Sequence, residues 1–135
     1  MGDGTTCARR SDYSAYCWGN NSKGQVGDGT TINRLLPTKV LDDTAALVTN
    51  GGGTCAITNA FTLKCWGNDR DDLLDQPMPT DVRGVDNVTA VSLWGNNTCA
   101  VTDDQLMCWG DTFKGQVGDG STDTRKTPTQ VTCPT

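Results

Sequence analysis

The chain has 135 residues, a formal net charge of −5, 16 glycines and only 35% hydrophobic residues, a composition that favours short strands and turns over a helical core. No basic run is longer than the pairs Arg9-Arg10 and Arg125-Lys126, which argues against binding to nucleic-acid phosphates. No stretch approaches the roughly eighteen apolar residues of a membrane helix, and the first ten residues lack the apolar segment of a signal peptide, so neither membrane insertion nor targeting is predicted.

Three segments of the sequence repeat at a period of roughly 43 to 48 residues. Each contains Thr-Cys-Ala followed by Cys-Trp-Gly, within residues 6–19, 54–67 and 98–110. A period of this length without helical periodicity is typical of propeller blades. The sequence therefore predicts an all-β domain over residues 1–135, made of β-propeller-type blades. It holds about two and two-thirds repeats: residues 1–49, residues 50–93, and an incomplete third repeat over residues 94–135.

The two cysteines of each repeat are predicted to face each other across a hairpin. If Cys99 opposes Cys108, a two-residue turn at Asp103-Asp104 closes the hairpin, and the other two repeats give hairpins of ordinary length. Directly opposed residues are within reach of a disulfide. A zinc site and free buried thiols are the alternatives, and the absence of histidine argues against zinc. We therefore expect three local disulfides and a secreted or periplasmic setting, with the pairs Cys7–Cys17, Cys55–Cys65 and Cys99–Cys108.

The tryptophans that follow the second cysteines point to the other face of the same strand. Trp18, Trp66 and Trp109 are expected to pack between blades, with an aromatic ligand cage as the alternative. Two repeats continue into nearly identical loops, Gly-Gln-Val-Gly-Asp-Gly at residues 24–29 and 115–120, whose glycines are interpreted as architectural. Repeat two has a shorter, charged stretch in that place.

The repeated pattern resembles the regulator of chromosome condensation repeat family, in a bacterial or extracellular style with paired cysteines. The resemblance covers essentially the whole chain, and the double loop makes it specific. It implies a β-propeller, usually of about seven four-stranded blades. It implies little about function, because the fold hosts nucleotide-exchange factors, enzyme inhibitors and adhesion-type modules.

Two departures from the repeated pattern are the candidate binding residues. Trp94, with Asn96 and Asn97 close by, stands where the other repeats have small or polar loop residues. It either anchors a partner or fills space left by the shortened loop of repeat two. That loop contributes the second group, which consists of Asp69, Arg70, Asp71 and Asp72. These residues either bind a partner, hold calcium or are simply solvated.

The sequence favours a non-catalytic binding module. Histidine, the ordinary general base, is absent, and no cofactor or metal is predicted. A protein partner bound through loops of a propeller face is the first hypothesis, and a glycan bound by a lectin, with calcium assistance, is the alternative.

We also expect a homo-oligomer or a part of a longer chain, because under three blades do not close a ring. The third blade is predicted to lack its closing strand. Cys133, the seventh cysteine, is predicted to be unpaired or to cross-link copies.

Overall fold

The structure is a computed structural model, and it describes residues 4–67, 76–103 and 105–133. These residues form eleven strands and no helix, which confirms the predicted all-β class. In chain order the strands are β1 (Thr5–Arg9), β2 (Ala15–Gly19), β3 (Arg34–Leu41), β4 (Thr44–Thr49), β5 (Gly53–Thr58), β6 (Leu63–Gly67), β7 (Gln76–Asp81), β8 (Ala90–Trp94), β9 (Asn97–Val101), β10 (Leu106–Gly110) and β11 (Arg125–Gln130).

The strands form three antiparallel sheets in which chain neighbours pair. The first sheet has the order β1-β2-β3, the second β4-β5-β6-β7, and the third β8-β9-β10-β11. Each sheet is a meander, the topology of a propeller blade.

The prediction that the third blade lacks its closing strand is wrong. β8 pairs with β9 from Ala90 opposite Val101 to Trp94 opposite Asn97, so the third sheet has four strands. In the second and third sheets, the strand before the Thr-Cys-Ala segment joins the sheet that follows it, because a tight turn leads directly from one to the other. Among the described residues, the sheet with three strands is the first.

The predicted cysteine pairs are confirmed. In each sheet the two cysteines face each other in the hairpin register, and the Cα atoms of each pair are 4.1 Å apart. The disulfides of the structure are Cys7–Cys17, Cys55–Cys65 and Cys99–Cys108, and Cys133 is free and exposed.

The glycine of each Cys-Trp-Gly segment is required by a close backbone approach. Gly19 and Gly110 have φ values of +101° and +113°, a region that residues with a side chain rarely adopt. A Cβ atom on Gly19 would lie 2.0 Å from the carbonyl oxygen of Gly4, and one on Gly110 would lie 2.1 Å from that of Asn96. Gly67 is placed in the same way against Gly52. The glycine therefore permits the strand end to cross over the start of its neighbour.

The hydrophobic cores lie between sheets. One core packs Trp66 with Cys17 and Val26 of the first sheet and its loop, and the other packs Trp109 with residues of the second sheet such as Leu63. Trp66 and Trp109 are buried, which confirms the packing prediction for these two. Trp18 is only half-buried, on the face of β2 opposite to Cys17.

Candidate functional site

Trp94 is an exposed aromatic residue at the end of a strand. It is the last residue of β8, lies opposite Asn97, and precedes the two-residue turn Gly95-Asn96. Its exposed fraction is 75%, whereas Trp66 and Trp109 are 0% and 1% exposed. The Trp94 side chain therefore does not fill space inside the protein, which was one of the two interpretations that the sequence offered.

The turn beside Trp94 is held in place from both sides. The side-chain amide of Asn96 donates to the carboxylate Oδ2 of Asp111 over 2.9 Å, and the amide of Asn97 donates to the carbonyl oxygen of the same residue. On the other side, Asn50 of the second sheet donates from Nδ2 to the carbonyl oxygen of Gly95 over 3.1 Å. These hydrogen bonds fix the backbone of the turn next to Trp94, while its ring remains exposed to solvent.

Asn97 has a structural task that repeats in the first sheet. There the hydroxyl of Thr5 donates to the carbonyl oxygen of Asn20 over 2.8 Å, and these two residues occupy the positions of Asn97 and Asp111. Asn97 was predicted as a binding residue, and the structure places it in a contact that closes the strand pair. Among Trp94, Asn96 and Asn97, Trp94 is exposed and the two asparagines are half-buried.

Phe113 is a second exposed aromatic residue at this end of the third sheet, and the sequence analysis did not select it. It lies two residues beyond Asp111, in the segment that follows β10, and its exposed fraction is 64%. Ser22 occupies the same place in the first repeat. The signal that singled out Trp94, a large aromatic residue where another repeat has a small one, was therefore present for Phe113 too.

The acidic group predicted in repeat two, Asp69, Arg70, Asp71 and Asp72, lies outside the described residues. Within the described part, no three cysteine, histidine or acidic side chains come together as a group that would hold a metal ion. A search of the same residues for a helix long and apolar enough to span a membrane finds none.

The carboxylates of the two glycine-rich loops are engaged within the protein. Asp28 pairs with Arg34, and burial, which raises its pKa, is outweighed by hydrogen bonds from Thr30 and Arg34 that lower the pKa below its ordinary value. The pKa of Asp119 is also lowered, first by the backbone N–H of Ser121 and further by Arg125, although burial opposes the shift. Both carboxylates therefore stay ionised and hold loop structure.

Comparison with known proteins supports the resemblance seen in the repeats. Two sequence profiles of the regulator of chromosome condensation (RCC1) repeat match this chain, one over residues 14–56 and one over residues 1–25.

Several solved structures share the fold of this chain. Human WBSCR16 superposes with a TM-score of 0.78 at 20% identity, over 97% of this chain and 38% of that protein. Prp20p from Saccharomyces cerevisiae, whose structure was described with its binding to Gsp1p and histones, gives 0.80 at 19% identity, over 98% and 37%. Yeast RCC1 (Prp20) in its complex with Kap60 gives 0.82 at 18% identity, over 98% and 36%.

The chain thus spans a little over a third of the length of these structures. Residues 1–56 are thus similar to the regulator of chromosome condensation repeat, and the three sheets of the chain are blades of a partial β-propeller.

Proposed function

We propose that this chain is a non-catalytic module that binds a protein partner through the end of the third blade that carries Trp94. The observation that carries the proposal is the exposure of Trp94 on a turn fixed by Asp111 and Asn50. A large, rigid aromatic side chain that reaches solvent is the usual anchor of a protein interface, because it buries much area and loses little conformational entropy.

The surroundings of Trp94 fit an interface better than a small-molecule pocket. Phe113 adds a second exposed aromatic ring at the same end of the blade, and Asn96 with Asp111 supplies polar groups next to the rings. Aromatic anchors with a polar rim are typical of protein–protein interfaces. The similar yeast propeller Prp20 binds proteins, namely Gsp1p, histones and Kap60. These partners are not transferred to this chain, because the likeness is one of fold.

The chemistry of the chain supports binding rather than catalysis. The sequence has no histidine, and the carboxylates Asp28 and Asp119 are occupied by arginine partners. The three disulfides indicate an oxidising compartment, and we infer that the protein works outside the cytosol, in a secreted or periplasmic setting without a nucleic-acid or membrane partner.

The test compares Trp94→Ala with Phe61→Ala. Phe61 is a similarly exposed aromatic residue, 52% accessible, in the turn at the opposite end of the second blade, so it controls for the loss of a surface ring. Each protein is immobilised and exposed to the extracellular fraction of the source organism, and the retained proteins are quantified by mass spectrometry. We expect a protein that wild type and Phe61→Ala retain and Trp94→Ala does not.

Stability and sugar binding are measured with the same proteins. The free energy of unfolding should change by less than about 0.5 kcal/mol in Trp94→Ala, because the ring is exposed. A glycan array with and without calcium should be blank. Equal retention by Trp94→Ala would refute the proposal, and sugar binding that depends on Trp94 would replace the protein partner with a glycan.

A further inference from the structure

The sequence contains three acceptor patterns for N-linked glycans, in which an asparagine is followed two residues later by serine or threonine. They are Asn20-Asn21-Ser22, Asn87-Val88-Thr89 and Asn96-Asn97-Thr98. Such glycans are added in the secretory pathway of eukaryotic cells, an oxidising compartment in which the three disulfides would form. The folded protein must leave a modified side chain in solvent, so the structure distinguishes between the three asparagines.

Asn20 and Asn96 have side chains that are used inside the fold. Oδ1 of Asn20 accepts from the amide of Ser22 over 3.0 Å. Asn96 donates from Nδ2 to the carboxylate of Asp111 over 2.9 Å, and Nδ2 is the atom to which a glycan would be attached. Both asparagines are half-buried. A glycan at either position would therefore compete with a contact that holds a loop or a turn in place.

Asn87 is exposed in the connection between the second and third blades, which leads from β7 to β8. The bend is fixed through the backbone, because the next amide, that of Val88, donates to the carbonyl oxygen of Phe61 over 2.8 Å. Asn87 has a φ of +53°, which asparagine tolerates better than most residues. Within the described part of the chain, its side-chain amide takes part in no hydrogen bond. The nitrogen is therefore available for a substituent.

The matching connection between the first two blades shows how the same position is used when its side chain is bonded. Asp43 lies there, directly before the first amide that bonds to the preceding hairpin turn, with a φ of +61°. Nδ2 of Asn59 donates to Oδ1 of Asp43 over 2.7 Å. In the next repeat the two residue types are exchanged, as Asn87 and Asp103, and no hydrogen bond joins them among the described residues.

The exposure of this position is a property of the connection itself. Asp43 is exposed as Asn87 is, although the second blade, which Asp43 leads into, is packed against the third. A substituent at Asn87 therefore extends into solvent without displacing a packed side chain.

We propose that Asn87 is a site of N-linked glycosylation. Its side-chain nitrogen bonds to C1 of an oligosaccharide that is carried on a lipid diphosphate. The bond between that carbon and the diphosphate oxygen breaks, the lipid diphosphate leaves with the electron pair, and the nitrogen loses one proton. In the folded protein the Thr89 hydroxyl donates to the carbonyl oxygen of Val101 over 3.3 Å, so the transfer precedes the folding of the third blade.

The site lies away from the interface proposed above. Asn87 precedes β8 and Trp94 ends it, and the five residues of this strand, at about 3.3 Å per residue, separate its two ends by roughly 13 Å. A glycan on Asn87 therefore leaves the end of the blade that carries Trp94 free to bind. Glycosylation of Asn87 does not depend on the proposed function.

Peptide mapping after enzymatic release of the glycan locates the modified residue. The protein is purified from the extracellular fraction of the source organism and treated with peptide N-glycosidase in water labelled with heavy oxygen. The enzyme converts a glycosylated asparagine into an aspartate that carries the label. We expect the label at Asn87 and not at Asn20 or Asn96. A protein without label at Asn87, or with most of the label at either other asparagine, would overturn the proposal.

Variants secreted from a eukaryotic cell line test the acceptor pattern. Asn87→Asp, which introduces the residue found at the equivalent position 43, and Thr89→Ala should each lose the mass of one glycan, whereas Thr89→Ser keeps the hydroxyl and should keep the glycan. Asn20→Asp is the matched control and should also keep it. Trp94→Ala should be glycosylated like wild type whether or not it binds a partner. A glycan that persists in Asn87→Asp, or that is lost in Asn20→Asp, would contradict the proposal.

Discussion

The two glycine-rich loops have the same six residues and differ in what covers them. Gly24, Gly27 and Gly29 have φ values of +75°, +90° and +84°, and Gly115, Gly118 and Gly120 have +79°, +80° and +84°. Gln25 is nevertheless fully buried, while Gln116 remains partly exposed, and the next residue of each loop, Val26 or Val117, is buried in both. The local sequence is therefore sufficient for the loop conformation and for burial of its valine, and the neighbouring blade decides whether its glutamine is buried.

The loops also differ in the residue that holds them from within. Asn21 is fully buried, donates from Nδ2 to the carbonyl oxygens of Thr30 and Ile32, and accepts from the amide of Val26 over 2.9 Å. The hydroxyl of its counterpart Thr112 makes two hydrogen bonds within the described part of the chain, of 3.3 and 3.4 Å. A side-chain amide offers more donors and acceptors than a hydroxyl, so the covered loop is also the more firmly bonded one.

The largest difference between the two regions should appear when the tryptophans are removed. Trp66→Ala should lower the free energy of unfolding by about 3–5 kcal/mol, because it empties a packed site between two blades. Trp18→Ala should lower it by about 1 kcal/mol, because its ring is half in solvent. Urea unfolding at low protein concentration measures both. Equal losses would show that the first blade has a core that does not need a neighbour.

A smaller difference is expected from the central glycines of the loops. Gly27→Ala should cost about 2–3 kcal/mol, because the new methyl group overlaps the ring of Trp66 in addition to the strain of a positive φ. Gly118→Ala should cost about 1 kcal/mol, mostly from that strain, since its nearest outside atom is Val131 Cγ1 at 3.1 Å. The comparison uses thermal and urea unfolding of both variants. If Gly118→Ala is the more damaging of the two, the loop of the third blade is not open.

The smallest difference should be in acid sensitivity, because the carboxylates of the two loops are equivalent. Asp28 and Asp119 each pair with an arginine, and their side chains are equally buried, 7% exposed. Both pKa values are lowered in the folded protein. The stabilisation they provide is therefore complete above the ordinary aspartate pKa of about 4, and it is lost as the pH falls through the folded value.

Asp28→Asn and Asp119→Asn should each make stability depend less on pH below about 4, and by similar amounts. Urea midpoints measured through the acid range test this, with Asp42→Asn, an exposed carboxylate in the β3–β4 connection, as the control. A flattened pH profile in only one of the two variants would mean that the neighbouring blade changes the environment of the Asp28 carboxylate, so that the two loops are not equivalent.

The hairpins and disulfides could be predicted because they depend on neighbours close in the chain. The register that places Cys55 opposite Cys65 follows from turn length alone, and so does the pairing in the other two sheets. The blade boundaries could not be predicted in this way. Residues 90–94 are apolar enough to join either sheet, and only the tight turn at Gly95-Asn96 assigns them to β9.

The candidate site was predicted in part. Trp94 was found because it breaks the repeat, and its exposure follows from its position at the end of β8. Asn97 was selected by proximity in sequence, although its amide is used inside the sheet. Phe113 was overlooked because the two loops after the Cys-Trp-Gly segments were compared only from Gly24 and Gly115 onward, and Phe113 precedes Gly115 by two residues.

By itself the sequence determined the strand pairing within each cysteine hairpin, the disulfides and the conformation of the glycine-rich loops, since each depends on hydrogen bonds and backbone conformations within a few residues. Which tryptophans are core and which are surface was decided only in the tertiary structure. Trp18 and Trp66 occupy the same local position, and one is buried because a loop from the preceding blade lies against it. Burial depends on which surfaces pack against each other in the folded protein. The repeated motif has the same sequence whether or not a neighbouring blade covers it, so the motif alone does not indicate which tryptophan is buried.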